Sequence, residues 1–171
     1  MSLATIILAL VTLQRLGELA LARRNTQKLL ARGAIEVGAS HYPLLVSVHA
    51  AWLISLWIWG RDQDVNLVAL GLFIVLQGLR VWVLAVLGPR WTTRIIVVSG
   101  EPLVRAGPYR YLSHPNYAVV ASEIALLPLA LHLPVLALIF TVLNAAVLVI
   151  RIRTEARALS AASGELARTV S

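Results

Sequence analysis

The chain is organised around long apolar runs that few folds in water can hide. Residues 3–22, 42–60, 65–88, 117–131 and 134–150 are dominated by Leu, Val, Ile, Ala and Trp. A helix needs about 20 mostly apolar residues to cross the roughly 30 Å hydrocarbon core of a bilayer, and the first three runs meet that length. With 59% hydrophobic and 13% charged residues among 171, a soluble fold would leave too much apolar surface facing water. The pattern predicts an all-α integral membrane protein of about five transmembrane helices. Its last two are short and form a hairpin whose turn is marked by Pro128 and Pro134. Such short legs must extend beyond the apolar stretch or sit where the bilayer thins.

Alternate connections carry the charge. Arg23, Arg24, Lys28 and Arg32 follow the first run, Arg90, Arg94, Arg105 and Arg110 the third, and Arg151, Arg153, Arg157 and Arg168 the fifth. These are twelve of the fifteen basic residues, and the opposite side has only Arg61. The positive-inside rule then sets the N-terminus outside and the C-terminus in the cytoplasm. The net charge of +7 therefore reads as topology and not as affinity for nucleic acid. The first run lacks the basic leader and small-residue cleavage site of a signal peptide and is read as a span. Without cysteine there is no disulfide, thiolate metal site or thiol nucleophile. The four histidines show no metal-ligand spacing, so no metal site is expected. No repeat or linker divides the chain, which reads as one domain: three spans to residue 88, then a loop, a hairpin and a C-terminal helix over 89–171.

Several polar residues fall inside the runs. Arg15 and Glu18, three apart, are expected to pair on one helix face. Gln77 and Arg80 either line a cavity or bond to a neighbouring helix. His49 reads as a packing histidine, and Glu123 needs a partner that Arg80 or Arg15 can supply.

The chemistry concentrates in two polar stretches on one side of the membrane. Residues 100–117 read Gly-Glu-Pro-Leu-Val-Arg-Ala-Gly-Pro-Tyr-Arg-Tyr-Leu-Ser-His-Pro-Asn-Tyr. Gly107-Pro108 marks a turn, and His114-Pro115 a helix start, where the missing proline N–H is no loss. A helix N-terminus suits an anionic group, and Tyr109, Tyr111 and Tyr117 offer aromatic faces to an adenine or a sulfonium. The second stretch, Arg151-Ile-Arg-Thr-Glu-Ala-Arg-Ala-Leu159, sets Arg151 and Glu155 on one helix face. By itself it would also suit a juxtamembrane helix touching lipid headgroups. Because the hairpin returns the chain to its starting side, the surroundings of His114 and Arg153 are expected to be neighbours.

Together, Gly-Pro-Tyr, His-Pro-Asn-Tyr and Arg-Ile-Arg-Thr-Glu, with a hairpin between them, resemble the isoprenylcysteine carboxyl methyltransferase family over roughly residues 88–160. The first three spans agree only in kind. The N-terminal Ala-Arg-Arg-Asn and Gly-Ala-Ile-Glu-Val-Gly look more like small bacterial members, some of which methylate long-chain alkylpyrones. The resemblance implies S-adenosylmethionine (SAM) as methyl donor and a lipophilic or prenylated acceptor. It implies a cofactor pocket formed by Glu101, Pro102, Leu103 and Val104, by Tyr109, by His114, Pro115, Asn116 and Tyr117, and by Glu155. It places the substrate-contacting role on Arg151, with Arg153 beside it. Three features depart from the family pattern: Ser113 replaces an arginine, Ala156 replaces a second glutamate, and the tail lacks the terminal tyrosines. The first two bear on the acceptor more than on the cofactor. Two other classes stay open at this level. NADPH-dependent membrane sterol reductases share the His-Pro-x-Tyr hairpin but carry a longer tail. A non-enzymatic scaffold or transporter subunit is the other.

Overall fold

A computed structural model of the protein describes residues 2–98 and 104–169, with side chains described through residue 158. Five α-helices account for most of it: α1 (Leu3–Ala31), α2 (Tyr42–Trp59), α3 (Leu67–Leu87), α4 (Pro115–Ala130) and α5 (Pro134–Thr169). Four of them are long and apolar enough to cross a membrane, whereas α4 has 16 residues, about 24 Å at 1.5 Å per residue. Contacts at its two ends show that α4 nonetheless runs the height of the bundle. The Asn66 amide at the start of α3 donates to Ala130 O at the end of α4 across 2.8 Å. At the other end, the first turn of α4 meets α5 through Tyr117 and Glu155, 2.6 Å apart. Thr5 Oγ1 bonds Arg61 O at 3.0 Å, bringing the start of α1 to the connection between α2 and α3. The five helices therefore run alternately up and down.

Two helices exceed the apolar runs that predict them. The first continues past residue 22 to Ala31, so Arg23, Arg24 and Lys28 lie on a helical extension and not in a loop. The last continues through Arg151 and Glu155, the long leg of an unequal hairpin. His114 caps α4 and Pro115 opens it, as the sequence suggests. Pro128 falls in the last turn of α4, and the reversal is made at His132, whose φ is 55°.

A two-stranded antiparallel ribbon was not legible beforehand. Strand β1 (Ile35–Val37) pairs with β2 (Ile95–Val97), with Glu36 opposite Ile96. Three residues per strand are too few to show an alternating pattern, and pairing across about 60 positions leaves no local signal. The ribbon packs on α5 at the polar end of the bundle.

The interior is apolar, with Leu8, Trp52, Leu56, Ile124 and Leu127 sealed within it. The outward faces carry Leu10, Leu13, Ile54, Ile74 and Val142, an apolar exterior that belongs in lipid. Inside α1, α3 and α4 lies a closed polar network. Arg80 pairs with both carboxylate oxygens of Glu18 and, across 2.7 Å, with Glu123. Arg15 reaches Glu123 at 2.7 Å and Glu18 at 3.3 Å. Gln14 donates to Gln77 Oε1, and Gln77 donates to Glu123 Oε1, each at 2.8 Å. Two guanidinium groups thus meet two carboxylates, so the cluster is neutral. Arg15 and Glu18 pair as expected, and Glu123 takes both of its candidate partners.

Candidate active site

The polar end of the bundle is shaped by turns that the sequence dictates. Gly107, at φ 53°, begins a 3-10 turn over Gly107–Arg110 that presses against α3. A Cβ at this position would stand 2.7 Å from Val86 Cγ2, so glycine is required both for its backbone conformation and for the close approach. The turn brings Tyr109 beneath the start of α4. Burial, and secondarily the Glu155 carboxylate, pushes the Tyr109 phenol up to about 12.

At the centre, one hydroxyl joins the two polar stretches. Tyr117 on α4 donates to Glu155 Oε2 across 2.6 Å and accepts from Arg151 Nε across 2.8 Å. Arg151 Nη1 donates to Thr93 O at 2.7 Å, leaving Nη2 uncommitted among the described residues. His114 stacks on Tyr117, with ring centroids 5.1 Å apart and planes inclined by 14°. Its Nδ1 lies 3.9 Å from Glu155 Oε2. Tyr42 and Thr93 share a hydroxyl bond of 3.0 Å. Arg94 lies 4.4 Å over the Tyr42 ring and bonds Glu36 on β1 at 2.6 Å. The ribbon is thereby tied to the segment that fixes Arg151.

Two cavities meet here. The larger, about 860 Å³, opens at the polar end between β2, the Gly107 turn and the start of α4. Val104, Tyr109, His114, Asn116, Tyr117 and Glu155 line it. So do Arg105 and Arg110, together with Ser113 and Ala156, the two positions that depart from the family pattern. The smaller, about 260 Å³, reaches toward the bundle interior along Leu16, Leu19, Leu45, Leu53, Val120 and Leu148. Trp91, Thr92, Asn116, Tyr117 and Arg151 border both. Two buried atoms in this shared wall, Trp91 Nε1 and Asn116 Oδ1, have no hydrogen-bond partner among the described residues.

Of the residues singled out from sequence, Val104, Tyr109, His114, Asn116, Tyr117, Arg151 and Glu155 come together around these cavities. Pro115 is buried at the first position of α4. Tyr111 is 79% exposed, and Arg153 is exposed and lines neither cavity. Glu101, Pro102 and Leu103 lie outside the described residues. His49, read as a packing residue, bonds within its own helix and also lines the smaller cavity. Thr93, Tyr42 and Trp91 went unnoticed: Thr93 holds Arg151 by its backbone carbonyl, and the other two reach the site only through the folded ribbon.

Fold and site define a multi-pass membrane protein that joins a polar cavity at the end of its bundle to an apolar one inside it. The chain belongs to the isoprenylcysteine carboxyl methyltransferase family, whose model matches residues 69–161. Members of this family are membrane methyltransferases that use SAM as methyl donor. The chain is 41% identical to the uncharacterized protein YpbQ of Bacillus subtilis over 159 residues, covering 90% of this chain and 95% of that one. It is also 26% identical to an uncharacterized protein of Haemophilus influenzae over 152 residues, covering 85% and 88% of the two chains. No solved structure matches it.

Proposed function

We propose that the protein is a SAM-dependent O-methyltransferase acting on a carboxylate or acidic hydroxyl of a lipophilic acceptor, isoprenylcysteine-like or long-chain alkylpyrone-like. The observation that carries this reading is the Tyr117 hydroxyl, which ties Glu155 to Arg151 where the polar and apolar cavities meet. The larger cavity, at about 860 Å³, falls in the range of small-molecule sites. Its chemistry suits an adenosyl-sulfonium: a carboxylate at Glu155, stacked rings at His114 and Tyr117, and unpaired buried polar atoms at Trp91 and Asn116. Val104, Tyr109, His114, Asn116, Tyr117 and Glu155 form its proposed cofactor wall, and the family resemblance assigns Glu101, Pro102, Leu103 and Pro115 to cofactor binding as well.

When bound, SAM supplies an electrophilic methyl group on a good leaving group. The protein's task is then alignment and exclusion of water. Arg151, held by Thr93 and Tyr117, directs its free Nη2 to the acceptor oxygen that does not react, because a strong pair to the reacting oxygen would weaken the nucleophile. The His114–Tyr117 stack would hold the sulfonium by its aromatic faces, and the Glu155 carboxylate would add a negative field. The apolar cavity receives the root of the acceptor's chain from the membrane. The basic residues at the site end of the bundle support a cytoplasmic site, where SAM is made, with the chain acting as one domain in a bacterial inner membrane. The test is transfer of a radiolabelled methyl group from SAM into a membrane lipid extract by the purified protein. Label recovered in a base-labile ester or a stable ether supports the reading, and no lipid-soluble label contradicts it.

A further inference from the structure

The smaller cavity holds an uncommitted hydrogen-bond acceptor. His49 stands on α2 with Nδ1 2.9 Å from the Leu45 carbonyl oxygen. A carbonyl only accepts, so Nδ1 carries a proton and the neutral ring presents a lone pair at Nε2. That nitrogen bonds to no described residue, and the His49 side chain lines the cavity. Of the charged groups on the wall, Arg15 and Arg80 pair with Glu18 and Glu123, and Arg151 bonds Tyr117 and Thr93 and keeps Nη2 for the occupant, while Trp91 Nε1 and Asn116 Oδ1 lie in the wall shared with the larger cavity. At about 260 Å³ the cavity takes little more than one ring and the root of its chain, so an occupant touching Arg151 lies within reach of His49.

We infer that His49 is a catalytic residue whose Nε2 takes the proton from a phenolic or enolic hydroxyl of the lipophilic acceptor as that oxygen is methylated. The inference rests on the methyltransferase reading and narrows its acceptor to a hydroxyl compound. The O–H bond breaks toward Nε2, an O–CH3 bond forms, and the S–CH3 bond breaks with its electron pair left on a neutral thioether. One positive charge is present before, on sulfur, and one after, on the imidazolium, so the low-dielectric site holds the same net charge throughout. The extra proton then leaves to water in the larger cavity. A carboxylate is already ionised at neutral pH and has nothing to give Nε2.

Three probes test this with detergent-purified protein: 4-pentadecylphenol, its 2-nitro derivative, which ionises near neutrality without help, and the carboxylate N-acetyl-S-farnesylcysteine. H49Q keeps an acceptor atom near the Nε2 position but cannot take a proton. Its methyl transfer to the phenol should fall at least about a hundredfold, the scale of a lost general base. Transfer to the nitrophenol and the affinity for S-adenosylhomocysteine should stay near the wild-type values. A second readout needs no turnover: with S-adenosylhomocysteine bound, the wild type should bind the nitrophenol as the coloured anion below its solution ionisation point, and H49Q should not. If H49Q fails to fold, the wild-type absorbance decides alone. An H49Q variant as fast as wild type on the phenol overturns the inference. So does a wild type that methylates only the farnesylcysteine carboxylate, or one that binds the nitrophenol uncharged. Failure of the wild type to bind S-adenosylhomocysteine would instead contradict the methyltransferase reading, and the nitrophenol absorbance measured without that ligand would still report on His49.

Discussion

Arg151 and Glu155 sit one turn apart on α5 and are joined through the hydroxyl of Tyr117 on α4, at 2.8 and 2.6 Å. A simple juxtamembrane helix would pair the arginine and the glutamate directly. Here a third residue, 34 positions before Arg151, orients both. Tyr117→Phe keeps the ring and its stack on His114 but removes that shared atom. Leaving charged partners unsatisfied costs about 1–3 kcal/mol, so affinity for S-adenosylhomocysteine should drop roughly ten- to a hundredfold by isothermal titration. Unchanged affinity would mean that the bridge does not shape the cavity.

The neutral cluster inside the bundle makes a prediction about stability. Glu123 is fully buried and answers both Arg15 and Arg80. Glu123→Ala would leave those guanidinium groups one carboxylate short, and breaking a buried pair costs about 3–5 kcal/mol. A large fall in the thermal midpoint in detergent is expected. It should be followed by a smaller further change when Arg80→Ala is added, because the two residues share one interaction. Additive losses would show that the cluster does not act as a unit.

Two glycines should respond in opposite directions. Gly107→Ala places a methyl group against Val86 at a positive φ, and strain of about 1–3 kcal/mol is expected. It should lower the melting point and weaken cofactor binding by displacing the turn that carries Tyr109. Gly78, inside α3, faces open space. Gly78→Ala should leave binding unchanged and raise stability by up to about 1 kcal/mol through helix propensity.

Tyr109 gives a pH signature. Its phenol is pushed up to about 12, first by burial and then by Glu155. A group whose folded value lies above its unfolded value of about 10 contributes stability that is complete below pH 10. That contribution is lost as pH rises toward 12. The difference in ultraviolet titration between wild type and Tyr109→Phe should show Tyr109 ionising late, and Glu155→Gln should bring it partway back. A Tyr109 that ionises with the free phenols would contradict its burial.

Much of this was legible in the sequence, for identifiable reasons. Apolar runs of 20 residues and alternating charge give spans and connections, because in a membrane length and hydropathy are the dominant constraints. The Pro115 start and the Gly107 turn were readable because proline and glycine restrict the backbone locally. The meeting of His114 with Glu155 followed from the hairpin alone. What escaped notice depends on contacts across the fold. The pairing of Ile35–Val37 with Ile95–Val97 has no local signal, so its consequences for Tyr42, Arg94 and Thr93 were invisible. Thr93 serves through a carbonyl that any residue would supply. Arg153 matched the family motif, yet the helix turns it away from the cavities that Arg151 borders.

The central claim is that the two polar stretches enclose one adenosyl ligand, and calorimetric titration of the detergent-purified protein with S-adenosylhomocysteine tests it most directly. The account expects a single site with micromolar affinity that disappears in both Tyr117→Ala and Glu155→Ala. Wild-type affinity retained in both variants, or no binding by the wild type, would contradict it.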